Sequence, residues 1–102
     1  MTKVPIRIVL ADEAKADLKN IYYRIIEKTK SVQNAKNVRA DIIQASKNIH
    51  FIKQYQVDEI LGEPFRRIVV RHFKIIYKPI NENEIRILQI FDTYQSPEKM
   101  RD

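Results

Sequence analysis

FRRIVVRHFKIIYKP, residues 65–79, carries the plainest structural signal in the chain. It is rich in β-branched and aromatic residues and divides into two apolar runs about Arg71 and His72, as two strands joined by a tight reversal do. The pattern predicts strands over 65–70 and 73–78. Downstream, Asn81-Glu82-Asn83 is a turn and EIRILQIF at 84–91 a third strand, so the C-terminal half is an antiparallel meander. Upstream, 53–64 has no periodicity and holds Asp58, Glu59, Gly62 and Pro64, the composition of a connecting loop. Before that loop, Ala35, Val38, Ile42, Ala45, Ile49 and Ile52 recur every three or four residues, which predicts a long helix capped by Ser31 or Asn34. Ala14, Leu18, Ile21, Tyr22 and Ile25 mark an earlier helix entered at Asp12, with acids in its first turn and Lys28 and Lys30 near its end. Ile6, Ile8 and Leu10 at alternate positions predict a first strand over about 3–10, with Pro5 near its start.

The predicted fold class is α+β: an N-terminal strand, an antiparallel helical hairpin, then a three-stranded antiparallel meander, with the helices packed on one face of the sheet. Residues 1–102 read as a single domain. The tail from Gln95, with Pro97 and little apolar material beyond Met100, reads as a short or loosely held end.

Composition narrows the function. At 44% hydrophobic residues, with five tyrosines and four phenylalanines, the chain has the material for a core. The absence of cysteine excludes disulfides, thiolate metal sites and a cysteine nucleophile, and two histidines are the only nitrogen ligands, so neither a metal nor a cofactor is expected. A single glycine excludes Gly-rich phosphate loops. No apolar run approaches the roughly 20 residues that span a bilayer, and no signal-peptide pattern is present, so a soluble cytoplasmic protein without membrane partners is expected.

Nineteen Lys and Arg against thirteen Asp and Glu leave a net charge of +6, distributed unevenly. Residues 64–81 hold Arg66, Arg67, Arg71, Lys74 and Lys78 and no acid, whereas 54–63 hold Asp58, Glu59 and Glu63 and no base. The second helix adds Lys36, Arg39, Lys47 and Lys53 against Asp41. Alternation along a strand sends Arg67, Val69 and Arg71 to one side and Arg66, Ile68 and Val70 to the other. With Ile68 and Val70 toward the helices, Arg67, Arg71 and Lys74 form an open basic face. Arg66, Arg67, Arg71 and Lys74 are the candidate phosphate or nucleic-acid contacts, and the plain alternative is solubilising surface charge. Phe73, Tyr77 and Tyr94 are candidates for base stacking and equally for the core. His72 at the reversal and His50 at the helix end read as exposed or capping residues before catalytic ones. Serines 31, 46 and 96 lack a nucleophile-elbow pattern, and the adjacent pairs Asp12-Glu13 and Asp58-Glu59 point apart in a regular element.

Over essentially its whole length the chain resembles the RelE/ParE superfamily of toxins from type II toxin–antitoxin modules, which includes plasmid stabilisation proteins. The resemblance rests on a first strand ending at Ala11, AKADLKNIYYRI at 14–25, FRRIVVRHFKIIYKP at 65–79 and EIRILQIFDTYQSPEKM at 84–100, in that order. It implies a growth-arresting toxin silenced by a cognate antitoxin, whose C-terminal segment wraps over part of the sheet or helices. Two targets occur in the superfamily. RelE-like members cut messenger RNA in the ribosomal A site by driving a ribose hydroxyl onto the adjacent phosphate, and ParE-like members poison DNA gyrase. By the resemblance, Arg67 and Lys74 occupy two basic positions of the nuclease branch, Val69 stands where another is expected, Tyr94 where an arginine is usual, and Met100 where a C-terminal tyrosine is sought. The candidate catalytic set is therefore Arg67, Arg71, Lys74 and Tyr94, with Arg71 or His72 moving a proton, and it is incomplete. Those departures favour gyrase inhibition, with the helical hairpin and C-terminal segment making the contact. Ribosome-dependent cleavage, a non-toxic nucleic-acid-binding module and a degenerate toxin that keeps antitoxin binding alone are the alternatives.

Overall fold

A computed structural model describes residues 5–94. It places β1 at Arg7–Leu10, α1 at Asp12–Thr29, α2 at Val32–Lys47, β2 at Arg66–Val70, β3 at Phe73–Asn81 and β4 at Glu84–Asp92. This is the predicted order of strand, two helices and three strands. The predicted tail beyond Gln95 and the start of the first strand at residues 3 and 4 lie outside the described residues.

Both helices bury the apolar stripe their spacing predicted. α1 hides Ala14, Leu18 and Ile21, has Asp12 and Glu13 in its first turn and stops at Lys30. Lys30 takes a left-handed conformation (φ 57°) and its N–H donates to the Ile26 carbonyl. α2 starts at Ser31, whose Oγ accepts the Asn34 amide at 3.1 Å, satisfying one of the helix's orphan donors. It ends at Lys47, earlier than the periodicity of Ile49 and Ile52 suggested. The chain turns out of the helix at Asn48, and Gln54 ties the exit down by donating to the Asn48 carbonyl and accepting the His50 amide. Ile49 nevertheless reaches the core at 2% exposure, so the apolar spacing marked burial beyond the helix itself.

The sheet order is β1-β4-β3-β2, with β1 parallel to β4 and the other pairs antiparallel. Ile68, Phe73, Ile75, Tyr77, Ile85, Ile87 and Ile90 face the helices and form one core with Leu18, Ile21, Val38 and Ile42. The Tyr77 hydroxyl donates to the Ile52 carbonyl at 2.9 Å, and burial raises its pKa. Asp17 of α1 accepts the Ile90 amide at 2.9 Å, tying helix to strand in a partly buried position that pushes its pKa up. Pro79 sits in β3 beyond the last residue paired with β2, where no ladder donor is needed on that side. Among the described residues no helix is long and apolar enough to cross a membrane.

Ser31→Ala removes the side-chain acceptor of the Asn34 amide at the start of α2 and is expected to lower unfolding stability by about 1 kcal/mol in urea denaturation, without changing the circular dichroism of the native state.

Candidate functional site

The face of the sheet opposite the helices is where the sequence placed an open basic surface. It is covered. Residues 55–65 fold back as a strap, joined to the outer edge of β2 by Arg67 N–H to the Gln56 carbonyl (3.0 Å) and Asp58 N–H to the Phe65 carbonyl (2.9 Å). The strap closes on itself through the Gly62 and Phe65 amides, and Gly62 adopts φ 73°, a conformation that glycine takes without strain. Beneath it Ile76 is 1% exposed, with Leu61 and Phe65 close by.

At its centre lies a buried ion pair. Lys74, 6% exposed, donates from Nζ to Asp58 Oδ1 at 2.8 Å, and Asp58 is fully buried. The second carboxylate oxygen accepts the Ile60 and Leu61 amides at 3.1 and 2.9 Å. Burial raises the Asp58 pKa, but the Lys74 hydrogen bond, the two amides and the Lys74 charge outweigh it, and the carboxyl is held below its usual 3.8. Glu59 stands 3.5 Å from Lys74 Nζ and 2.7 Å from Arg67 Nε, and its pKa is also lowered. The Lys74 ammonium lies 5.8 Å from the centre of the Phe91 ring.

Every candidate phosphate contact is engaged in this way. Arg66 projects to the opposite side from Arg67, donates to the Tyr55 carbonyl at 2.7 Å and lies 3.8 Å from Glu63. Arg67 adds a hydrogen bond to Gln56 Oε1. Arg71 leaves the strand alternation because its φ is 55°, and it binds Asp41 of α2 through Nε and Nη2 at 2.8 and 2.7 Å. The expected grouping of Arg67, Arg71 and Lys74 on one open face is therefore corrected. Lys74 is under the strap, Arg71 is on the helix side, and Val69, 54% exposed, is what the face presents. The signal for this was in the segment charges: an acid-only stretch directly precedes an acid-free hairpin, and the two neutralise each other.

Among the described residues, the Lys and Arg side chains within 4 Å of an acid are those of Arg66, Arg67, Arg71 and Lys74. The helices' basic side chains, Lys15, Lys19, Arg24, Lys28, Lys36 and Arg39 among them, form no such pair with a described residue. Unpaired positive charge is thus carried by the helical hairpin, and also by Arg7, Lys53, Lys78 and Arg86 outside it.

A second feature is a cleft of about 380 Å3 at the hairpin tip, between α1, α2 and the β2–β3 reversal. Ile21, Val38 and Phe73 supply apolar surface, and Arg24 and Lys28 supply charge. His72 stacks on Tyr94 at 4.5 Å and 5°, and its Nε2 lies 3.7 Å from Asp92 Oδ1. Tyr94 is 82% exposed, whereas Phe73 and Tyr77 are core residues, so of the three aromatic candidates Tyr94 alone offers a ring to a ligand. His50 is exposed, as expected. Among the described residues no cluster of three His, Asp or Glu has the arrangement of a metal site.

Residues 8–97 match the sequence model of a family described as ParE toxin of type II toxin–antitoxin system, parDE. The chain is similar in structure to the chromosomal ParDE toxin–antitoxin system of P. aeruginosa, with TM-score 0.74 and 19% identity over 88% of this chain and 98% of that one. It is also similar to the RelBE2 toxin–antitoxin complex of Mycobacterium tuberculosis, with TM-score 0.56 and 13% identity over 89% of this chain and 94% of that one. No curated protein is significantly similar to it in sequence.

Lys74→Met leaves Asp58 buried without its cation and is expected to cost about 3–5 kcal/mol. The double variant Lys74→Met/Asp58→Asn, which keeps an acceptor for the Ile60 and Leu61 amides, should recover more than half of that loss. Because the folded pKa of Asp58 is lowered, its stabilisation is complete above the unfolded value near pH 4 and is lost as pH falls through the folded value. Urea midpoints measured from pH 7 to pH 2 should therefore fall more steeply in the parent than in Asp58→Asn.

Proposed function

Since the chain belongs to the ParE toxin family of type II toxin–antitoxin systems, we propose that it arrests bacterial growth by poisoning DNA gyrase in the cytoplasm, and that a co-encoded antitoxin neutralises it. The observation that carries the choice of target is the Asp58–Lys74 pair with its Glu59–Arg67 neighbour. A nuclease of the RelE type needs cations free to meet the charge that develops on the scissile phosphate. The two residues that stand at nuclease positions already hold carboxylates, and Val69 brings no charge. A gyrase poison needs no phosphate-polarising groups, only a surface that binds protein, and the helical hairpin carries unpaired charge for that.

Ribosome-dependent cleavage is the second reading, favoured by one observation: His72, Asp92 and Tyr94 meet beside Arg24 and Lys28 at the tip cleft. An imidazole there has both a nearby carboxylate to orient it and an exposed ring beside it for a base. In this reading His72 moves the proton and Arg71 assists. A non-toxic nucleic-acid-binding module and a degenerate toxin both require that expression leave growth unaffected.

Expression without the antitoxin is expected to halt growth of a bacterial host, and co-expression with the neighbouring antitoxin gene to restore it. Purified chain should inhibit gyrase supercoiling, with Arg67→Ala within about twofold of the parent, since Arg67 is held by Glu59 and Gln56 and is not offered to a target. Ribosome-bound message should stay intact. Message cleavage that disappears in His72→Ala would instead establish the second reading.

A further inference from the structure

Three rings follow one another at the β2–β3 reversal, from the core out to solvent. Phe73 is buried, His72 stands against it with ring centres 4.2 Å apart, and the exposed Tyr94 stacks on His72 at 4.5 Å and 5°. The stack is braced. The Thr93 amide and hydroxyl both donate to the His72 carbonyl, at 2.8 and 2.7 Å, and Asp92 Oδ1 accepts the Tyr94 amide at 2.9 Å. All three rings line the tip cleft of about 380 Å3, with further apolar surface from Ile21 and Val38. Arg24 and Lys28 line it as well, and, four residues apart on α1, they share one side of that helix. Neither has an acid within 4 Å among the described residues. Asn34 and Asn37 reach the same cleft from α2, and Asn37 Oδ1 already accepts from Gln33 Nε2 at 3.0 Å, which leaves its amide hydrogens for a ligand. Asp92, the acid in the lining, is engaged with the Tyr94 amide and faces His72.

We propose that the tip cleft binds a free nucleoside monophosphate, its base on the Tyr94 ring and its phosphate on Arg24 and Lys28. Such a site belongs equally to a gyrase poison and to a message-cutting toxin, and it needs no catalysis by His72. The lining selects this class of ligand. An exposed ring on a braced stack holds a flat aromatic group by its face. Two cations on one side of a helix, one of them a guanidinium, hold a phosphate. A neutral aromatic molecule would leave Arg24 and Lys28 unmatched, and an aliphatic acid would leave the ring face unused. Size sets the limit, because a cleft of about 380 Å3 is near the lower end of the roughly 300–1,000 Å3 that small-molecule sites occupy. Of the three rings Tyr94 alone is exposed, so the cleft takes one base and its phosphate and gives a longer strand no second platform. Because the stack is in place before the ligand arrives, little side-chain order is lost on binding.

The test is a titration of the isotope-labelled full-length chain with the ribonucleoside monophosphates, their parent nucleosides and inorganic phosphate, followed by amide chemical shifts. At least one monophosphate is expected to give saturable shifts at the side-chain amides of Asn34 and Asn37 and at the backbone of His72 and Thr93, with Kd of about 1 mM or tighter. Its nucleoside and inorganic phosphate should each bind about tenfold more weakly or worse. Tyr94→Ala should weaken the monophosphate about tenfold and leave phosphate unchanged. Arg24→Gln/Lys28→Gln should weaken it about tenfold, flatten its salt dependence and leave the nucleoside unchanged. The ligand panel on the parent chain tests the site even where a variant fails to fold. Absence of saturable shifts at the cleft, a nucleoside or phosphate that binds as tightly as the monophosphate, or a folded Tyr94→Ala within about twofold of the parent overturns the proposal. A phosphorylated oligonucleotide that binds more than about tenfold tighter than the monophosphate through the same residues overturns it in favour of a nucleic-acid strand. Each of these outcomes leaves the toxin reading intact, which growth arrest decides separately.

Discussion

A buried ammonium and a buried carboxylate 2.8 Å apart set the arrangement of this small domain. Taking either charge out of water costs several kcal/mol, and the interior accepts the pair only because each is met by the other and Asp58 has further donors in the Ile60 and Leu61 amides. Lys74 is fixed by its place in β3, between β2 and β4, so Asp58 must come to it. The strap is thereby held against the sheet. It covers Ile76, brings Glu59 to Arg67, and closes part of a face expected to be open.

The electrostatic character of the molecule follows from that closure. The acid-free hairpin and the acid-only loop before it compensate each other within the chain, and Arg71 is held by Asp41 across the helix–sheet boundary. About half of the +6 surplus falls on the two helices and the link between them, and the rest on Lys3, Arg7 and Lys53. Arg24 and Lys28 of α1 line the tip cleft.

The local elements were legible because their signals are local. Apolar residues every three or four positions identify a helix wherever they occur, and β-branched runs about a two-residue reversal identify a hairpin. The end of α2 was misjudged because Ile49 and Ile52 keep the helical spacing while Asn48 breaks the helix, and burial alone does not report backbone conformation. The parallel pairing of β1 with β4 had no signal, since the partner of a strand reached through two helices depends on how those helices pack. Among site residues, Arg66, Arg67, Arg71 and Lys74 were singled out by charge, but strand alternation described Arg71 wrongly once its positive φ turned it toward Asp41.

The sequence by itself determined the α+β element order, the apolar faces of both helices, the cap at Ser31 and the segregation of acids from bases between 54 and 81. Each of these depends on residues close together in the chain. Only the tertiary structure decided which charges remain free, because Coulomb attraction and desolvation depend on distance and burial rather than on position in the chain. Summed along the sequence, the basic hairpin is the positive centre of the molecule. Folded, most of it is paired by the strap and by Asp41, and unpaired cations stand on the helices instead.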